Sequence, residues 1–461
     1  KVLGGSSSIN AMLYVRGQQA DYDGWRQLGC EGWAWDDVLP WFRKSQNQER
    51  GACDLHATGG PLNVADMRDG HPISEALIEA CDQAGIPRYD DLNGQEQEGA
   101  TWFQVTQKNG ARCSAAVAYL HPAMKRANLR VETNALASRV IFEGQRAAGV
   151  AFVQNGVQRT ARARAEVILA GGAINSPQLL ELSGIGNGEL LRQRGVTVVS
   201  NLPGVGENLQ DHYVTGVRYR LKAGTLSVNE MSKGGRLAAE ALKYVLFRKG
   251  LLTLSAAHVA AFCKSRPDLA GPDLQFHILP ATMDLEKLFN QQKMELEGAP
   301  GMTIAPCQLR PESRGNIHIK STDPSEHPAI VANYLSDPLD QEVAVAGLKW
   351  ARKIGAQPAI ARYVDHEMNP GPGFDSDQML LEYAKASGST IYHPVGTCAM
   401  GAGPMAVVDA RLRVRGVDGL RVVDASIMPR LVSGNTNAPT IMIGEKGAAM
   451  ILQDAKTPVA A

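Results

Sequence analysis

Near the carboxy-terminal end of the chain, two side chains have the types and settings that proton-transfer chemistry needs. His393 stands in Tyr392-His393-Pro394-Val395-Gly396-Thr397, and Asn437 stands in Gly434-Asn435-Thr436-Asn437-Ala438-Pro439-Thr440. Imidazole titrates near neutral pH, so it can accept the proton of an alcohol. The proline after His393 biases its backbone toward extended conformations, which presents the ring from a loop rather than from a helix face. Asn437 precedes a run to Lys446 that reads as a helix, with the asparagine near its cap and Pro439 in its first turn. Such a helix start carries partial positive charge and favours an electron-rich ring or an alkoxide. The plain alternatives are a hydrogen-bonded loop histidine and a simple helix cap.

Two further stretches have the composition of ligand cradles. Gly4-Gly5-Ser6-Ser7-Ser8-Ile9-Asn10-Ala11-Met12 is a glycine- and serine-rich loop whose bare amides can pack against a phosphate or a flat ring. The apolar run at 166–172 reads as a buried strand entering a glycine turn, with Ser176-Pro177 expected to start a helix that Gly184 ends. Together these make a strand-turn-helix unit of a nucleotide-binding α/β sheet. Gly204-Val205-Gly206 lacks a third glycine and a following helix, so it is assigned no phosphate role, and His212 behind it is expected to pack or hydrogen-bond rather than act as a base.

The elements that must carry these residues read as follows. Residues 33–47 and 73–84 have helical apolar spacing, and the aromatics of the first, Trp33, Trp35, Trp41 and Phe42, are expected in the core. Strands are expected at 129–133, 137–142, 147–154 and 157–163, with Asn155-Gly156 as a hairpin turn. Arg112 is expected to be structural. A helix-like run within 233–254 is flanked by Lys233, Arg236, Arg248 and Lys249; such a helix can lie on an anionic membrane, and packing on its own domain is the favoured expectation. Residues 260–331 alternate as strands, 340–354 return to helix, and 457–461 read as a loose tail.

The 461 residues can bury more than one core. Forty-seven basic residues balance 47 acidic ones, which argues against nucleic acid as a partner. Seven scattered cysteines, none in a C-x-x-C pair, argue for a reducing compartment and against a structural zinc site. No apolar run reaches membrane-spanning length. The expected location is cytoplasmic, with peripheral attachment to an inner membrane as the variant that the basic helix raises.

The glycine loop with Tyr14-Val15-Arg16-Gly17, Asp21-Tyr22-Asp23 and Trp25 resembles the first signature of the glucose-methanol-choline (GMC) flavin oxidoreductases, and Gly172 to Gly186 resembles the second. The details are closest to the bacterial choline dehydrogenase and aliphatic alcohol dehydrogenase branch. The resemblance implies an α/β FAD-binding domain, incomplete at its amino terminus (1–60, 125–225 and 395–461), and an antiparallel-sheet α+β substrate domain (61–124 and 226–394). It implies oxidation of a primary alcohol at FAD, with His393 as base and Asn437 holding the substrate oxygen. It also implies flavin contacts at Gly4, Gly5, Ser6, Asn10 and Met12, adenine contacts from the Val140 backbone, and contacts at Asp424, Ala425 and Pro439. Ile9 occupies the position where some relatives tether FAD through histidine, so FAD is expected to be non-covalent and no metal is expected. Electrons would pass to a quinone or other carrier, with oxygen as the alternative. Relatives carry a G-x-G-x-x-G unit ahead of the first signature, and its absence leads to the expectation that this chain is a fragment. A hydroxynitrile lyase, which keeps FAD without net oxidation, and an inactive remnant are the competing readings. Oligomeric state is left open.

Overall fold

A computed structural model describes residues 1–283, 293 and 295–456. Its first core gathers residues from both ends of the chain. Trp25, Trp33, Phe42, Leu169, Val422 and Met442 are buried together, and the indole N–H groups of Trp25 and Trp33 donate to the carbonyls of Arg430 and Ala410, each at 2.9 Å. The expected aromatic core role is met, because an indole buried against apolar neighbours still needs an acceptor for its one donor. The helix Trp35–Ser45 packs here against the terminal helix Asn437–Asp454.

Strand Val167–Leu169 pairs in parallel with Leu420–Val422, so the glycine turn of the second signature and Asp424 both emerge at the carboxyl ends of adjacent parallel strands. In open α/β sheets, ligands bind at such ends. The helix that follows runs Gly172–Leu182 and encloses Pro177, so it begins four residues before the expected Ser176 start. Pro177 has no N–H to give the carbonyl of Ala173, four residues back. The Thr397 hydroxyl donates to that carbonyl instead, at 2.6 Å, and thereby ties the His393 loop to this helix. The expected stop holds: Gly184 follows the helix with φ +86°.

An antiparallel meander, Ala135–Glu143, Arg146–Gln154 and Val157–Arg162, covers three of the four expected strands. Asn155 and Gly156 both have positive φ, as a two-residue hairpin turn requires. The strand expected at 129–133 does not form. No strand among the described residues pairs with it, and strand-favouring residues without a sheet edge remain irregular chain.

The second core lies on a larger antiparallel sheet. Strands Val364–Asn369, Val217–Leu221, Gly301–Gln308, Leu274–Leu279, Val259–Cys263 and Gly99–Trp102 lie side by side in that order. Leu274, Phe276 and Ile278 alternate onto one face, buried with Leu348 and Ala351 of helix Pro338–Gly355. The two-residue period puts Gln275 and His277 on the other face. Helix Pro72–Gln83 matches expectation. Helix Gly234–Phe247 forms as expected and touches its own domain through Glu240 and Lys243, but none of its residues is fully buried. The tail at 457–461 lies outside the described residues.

Candidate active site

His393 is brought into position by pairing rather than by its own segment. Gln210 and Val395 exchange both backbone hydrogen bonds, at 3.1 and 2.9 Å. In an antiparallel pair, residues two steps along on each side again face each other, and here those residues are His212 and His393. Tyr392 takes φ +65° and stands in solvent, a local kink in a segment that runs antiparallel to 210–214 on both sides of it, and His393 lies inward, with 9% of its surface exposed. Asp211 fixes the loop: it accepts from the backbone N–H of His393 at 2.8 Å, from Tyr334 at 2.6 Å and from Thr390 at 2.5 Å.

The hydrogen bonds then dictate where the protons sit. His212 Nε2 lies 3.1 Å from the carbonyl of Leu309, which can only accept, so Nε2 carries the proton. Burial pushes the His212 pKa down to about 4, so at neutral pH its Nδ1 is bare. His393 Nδ1 lies 2.9 Å from that nitrogen and must donate to it. His393 is held well below the usual imidazole range, first by burial and then by the neighbouring His212 and His277, so its remaining nitrogen, Nε2, bears a lone pair. The carbonyl of Leu309 thus selects, through two rings, the tautomer of His393 and leaves its Nε2 able to accept a proton. This assignment follows from the donor and acceptor pattern.

His393 Nε2 receives the side-chain N–H of Asn435 at 3.3 Å, and Asn435 Oδ1 accepts from Gln275 at 3.1 Å. Of the asparagine pair, therefore, Asn435 touches the histidine. Asn437 begins the terminal helix as its first residue, and its side-chain amide has no hydrogen-bond partner among the described residues. Sequence reasoning passed over Asn435 and Gln275. The signal that would have found Asn435 is its two-residue spacing from Asn437.

The glycine loop forms a short 3-10 turn, Gly5–Ser8, with Gly4 at φ +90° and Gly5 at φ +58°. Arg112 donates to the carbonyl of Ser7 at 3.1 Å and to Asn10 Oδ1 at 2.9 Å, so it is structural, as expected. Asn10 Oδ1 also accepts the N–H of Met12 at 2.9 Å, holding Met12 at φ +63°. Gly5 and Ser6 stay exposed. The Val140 amide is already donated to Ser183 Oγ at 2.8 Å and its side chain is buried in the first core, so the expected backbone hold on adenine is partly taken up inside the protein. Asp424 accepts from Gly172 N at 2.9 Å and Ser176 Oγ at 2.5 Å with one oxygen, and from Ser426 N at 2.8 Å and Ser426 Oγ at 2.5 Å with the other. Its carboxylate knits the two parallel strand ends, with Ala425 following it in a short turn and Pro439 buried in the terminal helix. None of these groups hydrogen-bonds to His393.

The residues present fit a flavin. No side chain caps the terminal helix at Thr436, so the polarised start of an 18-residue helix, two residues past Asn435, keeps uncapped N–H groups that favour an electron-rich ring. No group of three or more metal-ligating side chains occurs among the described residues.

Comparison with known proteins agrees. Residues 1–214 and 311–444 match the amino- and carboxy-terminal GMC oxidoreductase profiles. The chain is 42% identical to an alcohol dehydrogenase [acceptor] of Pseudomonas putida over 98% of this chain and 82% of the relative. It is 44% identical to the mitochondrial choline dehydrogenase of Homo sapiens over 98% and 75%. The crystal structure of pyridoxine 4-oxidase from Mesorbium loti superimposes with a TM-score of 0.86 at 29% identity, over 97% of this chain and 83% of that one. The fold, an α/β FAD-binding domain with a sheet-based substrate domain, is that of the family. The chain belongs to the GMC oxidoreductases, which are FAD flavoproteins.

Proposed function

We propose that this protein oxidises a primary alcohol, choline or an aliphatic or aromatic one, to the aldehyde, with FAD bound non-covalently. The observation that carries this reading is the bare Nε2 of His393, held by two successive histidine hydrogen bonds in the tautomer a base requires. Bound FAD supplies the hydride acceptor. His393 Nε2 takes the hydroxyl proton, replacing its hydrogen bond from Asn435 with one from substrate. Asn437, whose amide has no hydrogen-bond partner among the described residues, holds the substrate oxygen, and the helix start behind it stabilises developing negative charge. The loop Gly4, Gly5, Ser6, Asn10 and Met12, with Asp424, Ala425, Pro439 and the Val140 backbone, holds the cofactor. Ile9, 76% exposed, offers no nitrogen for a covalent tether. Segments 1–60, 125–225 and 395–461 form the FAD domain, and 61–124 and 226–394 form the substrate domain. Electrons leave to a quinone or similar carrier. The protein works in a cytoplasmic setting, with peripheral attachment to an inner membrane as the variant.

The test is a visible spectrum of the FAD-loaded protein before and after anaerobic addition of choline and a panel of primary alcohols. Bleaching of the flavin band is expected; a yellow protein that never bleaches would sink the oxidation reading and favour a lyase.

The asparagines separate by mutation. Asn437→Ala should slow flavin reduction about 100-fold, the usual cost of removing one oriented donor, with little change in thermal stability. Asn435→Ala should slow it less, because its bond to His393 is surrendered when substrate binds. The reverse order would transfer the role to Asn435.

A further inference from the structure

Helix Gly234–Phe247 is amphipathic in the wrong sense for a helix packed on its own protein. Two of its polar side chains, Glu240 and Lys243, reach the body of the protein, while Arg236 stays exposed. Lys243 pairs with Asp69, Glu240 accepts from the backbone of Leu251 at 2.7 Å, and Arg236 lies 3.7 Å from Glu230. Its apolar side chains point out. Ala238, Leu242, Val245 and Leu246 recur at the i, i+4, i+7, i+8 spacing of one helix face, and Leu242, Val245 and Leu246 are 57%, 69% and 61% exposed. Phe247, the last residue of the helix, and Leu252 beyond it are also exposed, at 65% and 51%. Scattered exposed apolar residues need no explanation, but an apolar helix face opposite the Lys243–Asp69 pair marks a surface made to meet something.

Charge says what it meets. Between residues 233 and 249 stand five basic side chains against one acidic one, Glu240, in a chain whose overall charge is zero; Lys233 and Arg236 face Glu230 and Lys243 pairs with Asp69, while Arg248 and Lys249 enter no ion pair among the described residues. Arg248 lies over the ring of Tyr244, 4.8 Å from its centre, beside the apolar face. A two-fold contact of this face with a second copy would press like charges together. An anionic phospholipid surface satisfies both features, taking apolar side chains into the acyl boundary and cations at the headgroups. No helix among the described residues is long and apolar enough to cross a membrane, so the contact is interfacial.

We propose that helix Gly234–Phe247 lies on an anionic phospholipid surface, burying Leu242, Val245, Leu246 and Phe247, with Arg248 and Lys249 at the headgroups. This deepens the peripheral attachment above by naming the surface and the lipid chemistry, and it stands independently of which alcohol is oxidised.

The experiment is co-sedimentation of the FAD-loaded protein with phosphatidylcholine vesicles, with and without phosphatidylglycerol. Alcohol-driven flavin bleaching is read in parallel to report folding and activity. Binding is expected with phosphatidylglycerol, weakening in high salt. Leu242→Glu, Val245→Glu and Leu246→Glu combined should lower it at least about tenfold while bleaching is unchanged, and Arg248→Glu with Lys249→Glu should lower it about tenfold through charge alone. Failure of the unmodified protein to bind anionic vesicles overturns the proposal, as does unchanged binding of either variant. Absence of vesicle binding together with a light-scattering dimer that the triple variant dissociates would make this face a contact between copies. Loss of bleaching in the unmodified protein would strike the oxidation reading and leave vesicle binding as a separate result.

Discussion

His393→Ala should reduce flavin bleaching by alcohol by 100-fold to 10,000-fold, the range for removing a positioned general base, while bound FAD stays yellow. The expectation rests on protonation as much as position. Burial, with His212 and His277 nearby, keeps the imidazole neutral far below its ordinary range, so the base is already deprotonated at neutral pH. The rate of flavin reduction should therefore stay flat as pH falls through 6.5 and decline only at clearly lower pH. A profile that breaks near 6.5, or an alanine variant that bleaches normally, would remove His393 from proton transfer. The same burial links to stability with a definite sign. His212 and His277 are each pushed down to about 4, and His393 is also depressed. The unfolded chain thus takes up protons first as pH drops below about 6.5, and the stability that these neutral rings contribute is complete above that pH and declines below it.

Asp424→Ala should be the most damaging substitution for the cofactor domain, lowering unfolding free energy by about 3–5 kcal/mol, as expected when a buried hydrogen-bond network loses its centre. The carboxylate accepts from two backbone amides and two serine hydroxyls, and each donor left buried without a partner costs about 1–3 kcal/mol before relaxation. Gly172 and Ser176 belong to the second signature, whereas Ser426 follows the strand that carries Asp424, so the two strand ends would part. Urea unfolding and flavin content per chain measure both effects. Asp424→Asn should fall between, because its amide nitrogen cannot accept the bonds that one carboxylate oxygen takes. A variant with unchanged stability and full flavin content would show that the strand ends are held by other contacts.

Features encoded within a few residues were legible. The Asn155-Gly156 turn follows from two adjacent positive φ values that those residues tolerate, and the stop at Gly184 follows for the same reason. Local propensity also misled. Pro177 read as a helix start because proline lacks a donor, yet the helix runs through it because Thr397, more than two hundred residues away, supplies the missing proton. Residues 129–133 have strand composition but no edge to join.

The sequence by itself determined the family signatures, the strand-turn-helix that ends at Gly184 and the candidacy of His393, because each depends on backbone preferences and side-chain chemistry within a short window. Only the tertiary structure decided that His212 sets the tautomer of His393, that Asn435 rather than Asn437 reaches its free nitrogen, and that the helix at 234–247 turns its apolar face outward. Those outcomes depend on which distant segments meet: the Gln210 and Val395 pairing aligns two histidines 181 residues apart, and no periodicity or local propensity records such a register.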